Sequence, residues 1–172
     1  MLLSCRSKGT TPKSKPLVSI KMEIRQDDVI DNRVVALLEE HIADMYATTP
    51  AESVHTLDLA SLRKSDISFW VIWDGEFAAG CIALKEHDKT YAEIKSMRSA
   101  NGFRGKGIGK ILLEYVINVA EQRGYQYLRL ETGYEDFFKP ARAIYERFGF
   151  QERGPFADYT DDPISVFMER EV

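Results

Sequence analysis

The spacing of apolar positions changes several times along the chain, and each change predicts a new element. Val34, Leu37, Leu38, His41, Ile42 and Met45 recur at i, i+3, i+4 and i+7, one face of a helix, with Asp31 placed to cap its start. IKMEIR (20–25) predicts a short strand before it, and TLDLASLRK (56–64) a shorter helix after it. The period then shortens to that of strands. ISFWVIWD (67–74) is rich in β-branched and aromatic residues and ends at Asp74-Gly75, a hairpin signal, and EFAAGCIALKEH (76–87) is the return arm. Asp88-Lys89 turns the chain into YAEIKSMR (91–98), where Tyr91, Glu93, Lys95 and Met97 alternate against Ala92, Ile94 and Ser96.

Helical spacing returns at Ile108, Ile111, Leu112, Tyr115, Val116 and Val119, with Gly124 as its stop. YQYLRLET (125–132) reads as a strand. Phe137, Ala141, Ile144, Tyr145 and Phe148 form another helical face, with Pro140 in its first turn and Gly149 at its end. FQERGPF and SVFMERE read as two last strands. The order β, α, α, β, β, β, α, β, α, β, β has a meander first and a β-α-β crossover after it. It predicts an α/β fold with a mixed, mostly antiparallel sheet of six to seven strands and helices on both faces, in one domain over 21–172.

Residues 1–20 stand apart: Arg6, Lys8, Lys13 and Lys15, several Ser and Thr, two prolines and no acid cannot build a packed element. Three readings stay open: a disordered tail, a true start at Met22, or a transit-like peptide. The 172 residues carry a net charge of −4, which argues against a nucleic-acid partner, and no apolar run is long enough for a membrane span. Cys5 and Cys81 do not suggest a disulfide framework, so a reducing, cytoplasmic setting is expected. His41, His55 and His87 lack ligand spacing, so no metal site is expected.

SANGFRGKGIGKILLEYV (99–116) is the segment that carries chemistry. Glycines between a strand and a helix start let backbone approach an anion, the first N–H groups of the helix are unpaired, and Arg104, Lys106 and Lys110 add positive charge. A pyrophosphate suits such a site. The spacing does not give G-x-x-x-x-G-K-[ST], and the G-x-G-x-x-G pattern fails where Lys110 stands. Arg104-Gly105-Lys106-Gly107-Ile108-Gly109 instead resembles the R/Q-x-x-G-x-G/A signature of the GCN5-related N-acetyltransferases, the GNAT superfamily. ARAIYERFGF (141–150) resembles that superfamily's A-x-x-x-Y-x-x-x-G-F segment, and the likeness spans residues 22 to 172. PAESVHTLDLASLR, AEIKSMR, LET and GPFADY with SVFM resemble one bacterial branch of small GNAT proteins, the YsnE type, which has been linked to indole-acetate metabolism. That branch usually has two prolines where this chain has Thr49-Pro50-Ala51. The wider superfamily often has an asparagine where this chain has Phe138, which removes one expected contact to a pantetheine arm.

The resemblance implies acetyl-CoA as co-substrate, its pantetheine along backbone near Met97 and Arg98, its pyrophosphate on the amides of Gly105, Lys106, Gly107, Ile108, Gly109 and Lys110 beside Arg104, with Phe138 and Ala141 adjoining. It implies N-acetylation of a small-molecule amine by direct attack in a ternary complex. Tyr145 is the expected proton donor to the leaving thiol. Glu93 is the first choice of base, Glu131 the second, and water a third route; either carboxylate could instead pair with Lys95 or orient substrate. The acceptor pocket is expected from His41, Met45, Glu52, Ser53 and His55 on one side and Phe156, Asp158 and Tyr159 on the other, with helix capping the rival role for Glu52 and His55. A CoA-binding regulator without turnover and a protein acetyltransferase are the alternatives, and a monomer or homodimer is expected.

Overall fold

The structure, a computed structural model, describes residues 22–51, 55 and 58–172. The expected tail and the pocket residues Glu52 and Ser53 lie outside the described residues. Seven strands form one sheet: β1 (Glu23–Gln26), β2 (Ile67–Asp74), β3 (Phe77–Glu86), β4 (Tyr91–Ser99), β5 (Tyr127–Gly133), β6 (Gln151–Arg153) and β7 (Ser165–Glu171). Their order is β1-β2-β3-β4-β5-β7-β6, and only the β4–β5 pair is parallel. Helices α1 (Asn32–Thr48), α2 (Leu59–Leu62), α3 (Ile108–Arg123) and α4 (Lys139–Arg147) complete the domain. Single 3₁₀ turns precede α3 at Asn101–Phe103 and α4 at Asp136–Phe138. The predicted strand 150–156 is therefore shorter than its apolar ends suggest, because Gly154 and Pro155 follow Arg153.

Two apolar layers explain the sheet's two faces. Trp70, Ile72, Ile82, Leu84, Ile94, Leu128 and Leu130 pack against α3 and α4, with Leu112, Leu113, Val116 and Tyr145 facing them. Phe69, Val71, Cys81 and Ala83 pack against Val34, Leu37 and Leu38 of α1 and Leu62 of α2. Strand residues alternate between these layers, so β2 and β3 read as continuous apolar runs. Asp31 accepts the Arg33 N–H, and Asp58 accepts the Ser61 N–H, capping α1 and α2.

The strict alternation expected for β4 holds through Lys95 and then fails. Cys81 pairs with Arg98 and Ala83 with Lys95, so Ile82 faces two residues, Ser96 and Met97. That is a β-bulge, and Ser96 adopts φ of 51° to make it. Lys95 and Arg98 share the α1 face with their partners Ala83 and Cys81. Met97 instead joins the layer under α3 and α4, on the opposite face from Glu93 and Lys95. Periodicity cannot reveal an inserted residue, so the expected grouping of Met97 with Glu93 is corrected here.

Gly80 sets how closely α3 approaches this bulged strand. A Cβ there would lie 2.6 Å from the Arg98 carbonyl oxygen and 2.6 Å from Ile108 Cγ2. Backbone cannot yield as a side-chain tip can. Gly80→Ala is expected to destabilise the fold by about 1–3 kcal/mol, the usual range for overpacking, read as a lower midpoint in urea unfolding at unchanged slope. A midpoint at the wild-type value would show that α3 does not depend on this approach.

Candidate active site

β4 and β5 pair in parallel only from Tyr91 with Tyr127 to Ile94 with Leu130. Both strands continue, β4 to Ser99 and β5 to Gly133, each paired on its outer side with β3 or β7. Their inner edges therefore separate after one shared stretch. A cleft of about 690 Å³ occupies the opening, bounded by α1, the start of α3, α4 and the segment before β7.

One end of the cleft is made of backbone. Gly105 and Gly107 have φ of 75° and 81°, a region that L side chains enter at a cost, and a Cβ on either would meet nothing within 4 Å. Gly107 caps α3 with no side-chain hydrogen bond. The helical ladder begins with the Ile111 N–H on the Gly107 carbonyl at 3.1 Å, so the N–H groups of Ile108, Gly109 and Lys110 precede it. Gly109 fits between Ile144 and Met97, where a Cβ would be 3.4 and 4.0 Å away. Arg104 crosses the mouth: it donates to Asp44 of α1 at 2.7 Å and its guanidinium lies 5.9 Å from the Phe137 ring centre.

Of the expected cofactor residues, Met97, Arg98, Arg104, Gly105, Gly107, Ile108, Gly109, Phe138 and Ala141 line the cleft. Lys106 and Lys110 are exposed and do not; the Lys106 ammonium sits 4.8 Å over the Phe103 ring. Phe138 packs so closely on Gly133 that a Cβ there would stand 2.2 Å from its ring. Arg142 donates to the carbonyls of Gly133 and Glu135, which holds the end of β5 against α4.

At the vertex of the cleft, Lys95 and Glu131 stand one step beyond the last paired residues, one on each strand. Glu131 accepts the Ser165 hydroxyl at 2.8 Å. Burial raises its carboxyl above the usual range, against the opposing pull of that hydrogen bond and of the His55 and Lys95 charges. Tyr145 lines the cleft from α4 and is otherwise buried, with its hydroxyl 3.8 Å from Met97 Sδ. Burial, with the Glu131 charge adding to it, pushes the phenol well above its ordinary value.

Glu93 does not line the cleft. It is 1% exposed and lies behind Lys95, held by Lys95 Nζ at 3.1 Å, by the Tyr159 hydroxyl at 2.6 Å and by His87 Nε2 at 2.7 Å. Burial alone would raise its carboxyl; the Lys95 charge and the hydrogen bonds from Tyr159, His87 and Lys95 outweigh it and hold the group below the usual range.

The other end is made of side chains. His41, Met45 and Thr49 of α1 and its C-terminus, His55, and Ile164 line it. Desolvation and the Arg98 guanidinium push the His41 ring down to about 4, so it is neutral at pH 7. Tyr159, Phe156 and Asp158 do not line the cleft: Tyr159 backs Lys95 and His55, Phe156 is buried among the rings of His87, Tyr91, Tyr159 and Phe167, and Asp158 is exposed. Sequence reasoning missed Thr49, Thr132, Phe137 and Ile164 as lining residues, and assigned Lys95 only to ion pairing. The signal for Lys95 was its register against Glu131, which requires knowing where the parallel pair ends.

Among the described residues, no group of three or more His, Cys, Asp or Glu could hold a metal ion, and no helix is long and apolar enough to cross a membrane. A sequence model of the Acetyltransferase (GNAT) family matches residues 34–150. The uncharacterized N-acetyltransferase YsnE of Bacillus subtilis is 48% identical over 88% of this chain and 100% of its own. An IAA acetyltransferase of Azospirillum brasilense is 39% identical over 86% of this chain and 95% of its own. The crystal structure of a candidate acyl-CoA N-acyltransferase from Klebsiella pneumoniae superposes with a TM-score of 0.71 at 29% identity, covering 87% of this chain and 97% of that one. Glycine cradle, separated strands, α4 tyrosine and these matches agree: the chain is an enzyme of the GNAT acetyltransferase family, in its YsnE-type branch.

Proposed function

We propose that this enzyme moves an acetyl group from acetyl-CoA to the amine of a small molecule, with both bound at once. The observation that carries this reading is the cleft between β4 and β5, open along two strand edges and ending at a helix start that no side chain caps. The residues suit the co-substrate. The amides at 108–110 and the open space over Gly105 and Gly107 would take the pyrophosphate, and the inner edge of β4 near Met97 and Arg98 would take the pantetheine. When bound, acetyl-CoA supplies an acetyl group activated as a thioester.

The chain's own groups then divide the proton work. Glu131 is the only carboxylate among the described residues of the cleft, and its raised pKa makes it a better proton acceptor than an ordinary glutamate. It takes the amine's proton, freeing the lone pair to attack. The bulge at Ser96 and Met97 lies on β4 beyond its last pairing with β5, and a backbone N–H there would polarise the thioester carbonyl. Tyr145 stays protonated throughout the neutral range, so its hydroxyl can always donate to the leaving sulfur. Complete transfer from so weak an acid to a thiolate of pKa ~8.5 runs uphill, so its contribution is mainly the hydrogen bond. Glu93 serves as the anchor that poses Lys95 and Tyr159. A small acceptor is favoured because α1 and the segment before β7 wall the far end, and the Azospirillum relative is named for a small molecule, IAA.

Gly107→Ala is expected to weaken acetyl-CoA binding by about tenfold or more, measured by calorimetry. Gly124→Ala, with φ of 76° at the other end of α3, carries the same backbone strain of about 1–2 kcal/mol away from the cleft and is expected to keep wild-type affinity. Equal affinity in both variants would remove the pyrophosphate from this helix start.

Glu131→Gln is expected to lower kcat/KM by roughly 10²-fold at pH 7. The sign of its pH dependence follows from the base. Without Glu131, only amine already neutral in solution can react, so the deficit should shrink as pH rises toward the amine's own pKa. A deficit constant from pH 6 to 10 would assign the proton to another acceptor.

Tyr145→Phe is expected to lower kcat by roughly 10²-fold, the lower end for a lost proton donor, with acetyl-CoA affinity unchanged. Wild-type kcat in the folded variant would make Tyr145 a packing residue only.

A further inference from the structure

We infer that the acceptor is an amino acid, or a close analogue, whose carboxylate is held by Lys95 while its amine faces Glu131. This deepens the reading above and rests on it. Lys95 and Glu131 occupy the first step beyond the paired stretch of β4 and β5, facing each other across the vertex of the cleft. One presents an ammonium and the other a carboxylate. An amine and a carboxylate one carbon apart offer the complementary pair.

Lys95 is posed for such a partner. Its ammonium has three donors, and two are fixed, on Glu93 at 3.1 Å and on the Tyr159 hydroxyl at 2.6 Å. The third remains for the cleft that Lys95 lines. Its stem is packed, with the side chain 9% exposed, so little entropy is lost when a ligand arrives. Thr49 lines the acceptor end of the cleft, and its buried Oγ1 has no hydrogen-bond partner among the described residues.

The remaining N–H of Lys95 supplies the discrimination. The described cleft residues include Lys95, Arg98 and Arg104 and one carboxylate, Glu131. Each of these cations has an acidic partner, Arg98 and Arg104 on Asp44 and Glu40 of α1 and Lys95 on Glu93, and Lys95 is the one on the strand step beside Glu131. A carboxylate on the acceptor would accept a charge-assisted hydrogen bond from the remaining Lys95 N–H, and an amine without a carboxylate would offer that donor no acceptor. Met45, Ile164 and the neutral His41 ring bound the remaining space, which favours an apolar or aromatic side chain on the acceptor.

The test separates binding from turnover. Protein saturated with CoA is titrated by calorimetry with N-acetyl-L-phenylalanine and with N-acetylphenethylamine, which differ only in the carboxylate. The carboxylate member is expected to bind at least about tenfold more tightly. Lys95→Met is expected to reduce that preference below about threefold, Lys95→Arg to restore most of it, and CoA affinity reports that each variant is folded. Equal binding of the two compounds, no binding of either at millimolar concentration, or a preference that survives Lys95→Met would each overturn the inference. Thiol release is measured in parallel with L-phenylalanine and phenethylamine. Equal kcat/KM for the two would overturn the inference and leave the acetyl-transfer reading standing. A calorimetric preference with no thiol released by either would show a carboxylate-binding site but overturn the inference that such an amino acid is the acceptor.

Discussion

The backbone of β4 is hydrogen-bonded on both sides as far as Ile94 and on one side after it, and the site follows from that change. Parallel strands that stayed in register would close the sheet and leave no opening. Strands that parted without support would leave buried N–H and C=O groups unsatisfied, which native structures avoid. Here β3 and β7 keep the outer edges paired, so only the inner edges are free, and they face a cleft where a ligand or water can reach them. The bulge at Ser96 belongs to the same constraint. It raises the twist of β4 and sends Met97 to the opposite face from Lys95, so the two sides of the cleft receive different chemistry.

A carboxylate of α1 ties the parts together. Asp44 accepts from Arg98, on the bulged strand, at 2.7 Å and from Arg104, at the start of the glycine loop, at 2.7 Å. Exposed ion pairs contribute little to stability, but the Arg98 side chain is only 4% exposed, so loss of its acidic partners would leave a buried cation uncompensated. Glu40 and Asn101 take further Arg98 donors. One turn before Asp44, His41 is kept neutral beside that guanidinium. Helix α1, the bulged strand and the start of the glycine loop are therefore set by one shared contact, and a shift of α1 would be felt at both ends of the cleft.

What the sequence disclosed and what it concealed divide along physical lines. Helix faces, the meander, the crossover and the glycine cradle were legible because each rests on local periodicity or on a residue type with one conformational use. Gly107 at positive φ before α3 is such a case, and so is Tyr145 in the inward stripe of α4. The bulge was not legible, since an inserted residue leaves no mark in composition, and the phase of Met97 was misjudged on that account. In one dimension Glu93 was the first choice of base and Glu131 the second. Only the register Ile94 with Leu130 distinguishes them, because it leaves Glu131 beside the opening and Glu93 behind Lys95. Thr49 gave no signal, since a hydroxyl at the end of a helix usually reads as a cap.

The two ends of the cleft are built from different material, and that has a consequence for specificity. The end proposed for the pyrophosphate is backbone and glycine, with Gly105 and Gly107 at positive φ. The end proposed for the acceptor is a set of side chains from α1, from residue 55 and from the segment before β7. On the proposed function, substitution of these side chains would alter which amine is held more than how the acetyl donor is held. Lys95 is the exception, because it sits on β4 itself and its pose depends on Glu93 beneath it and Tyr159 across from it. Tyr159 also donates to Glu93 and meets the ring of the exposed His55 at 5.2 Å, so the segment before β7 and the strand bearing Lys95 are joined through the buried Glu93, with residue 55 against them. The ammonium inferred to meet the acceptor is thereby held in one pose, which is what recognition by a single side chain requires.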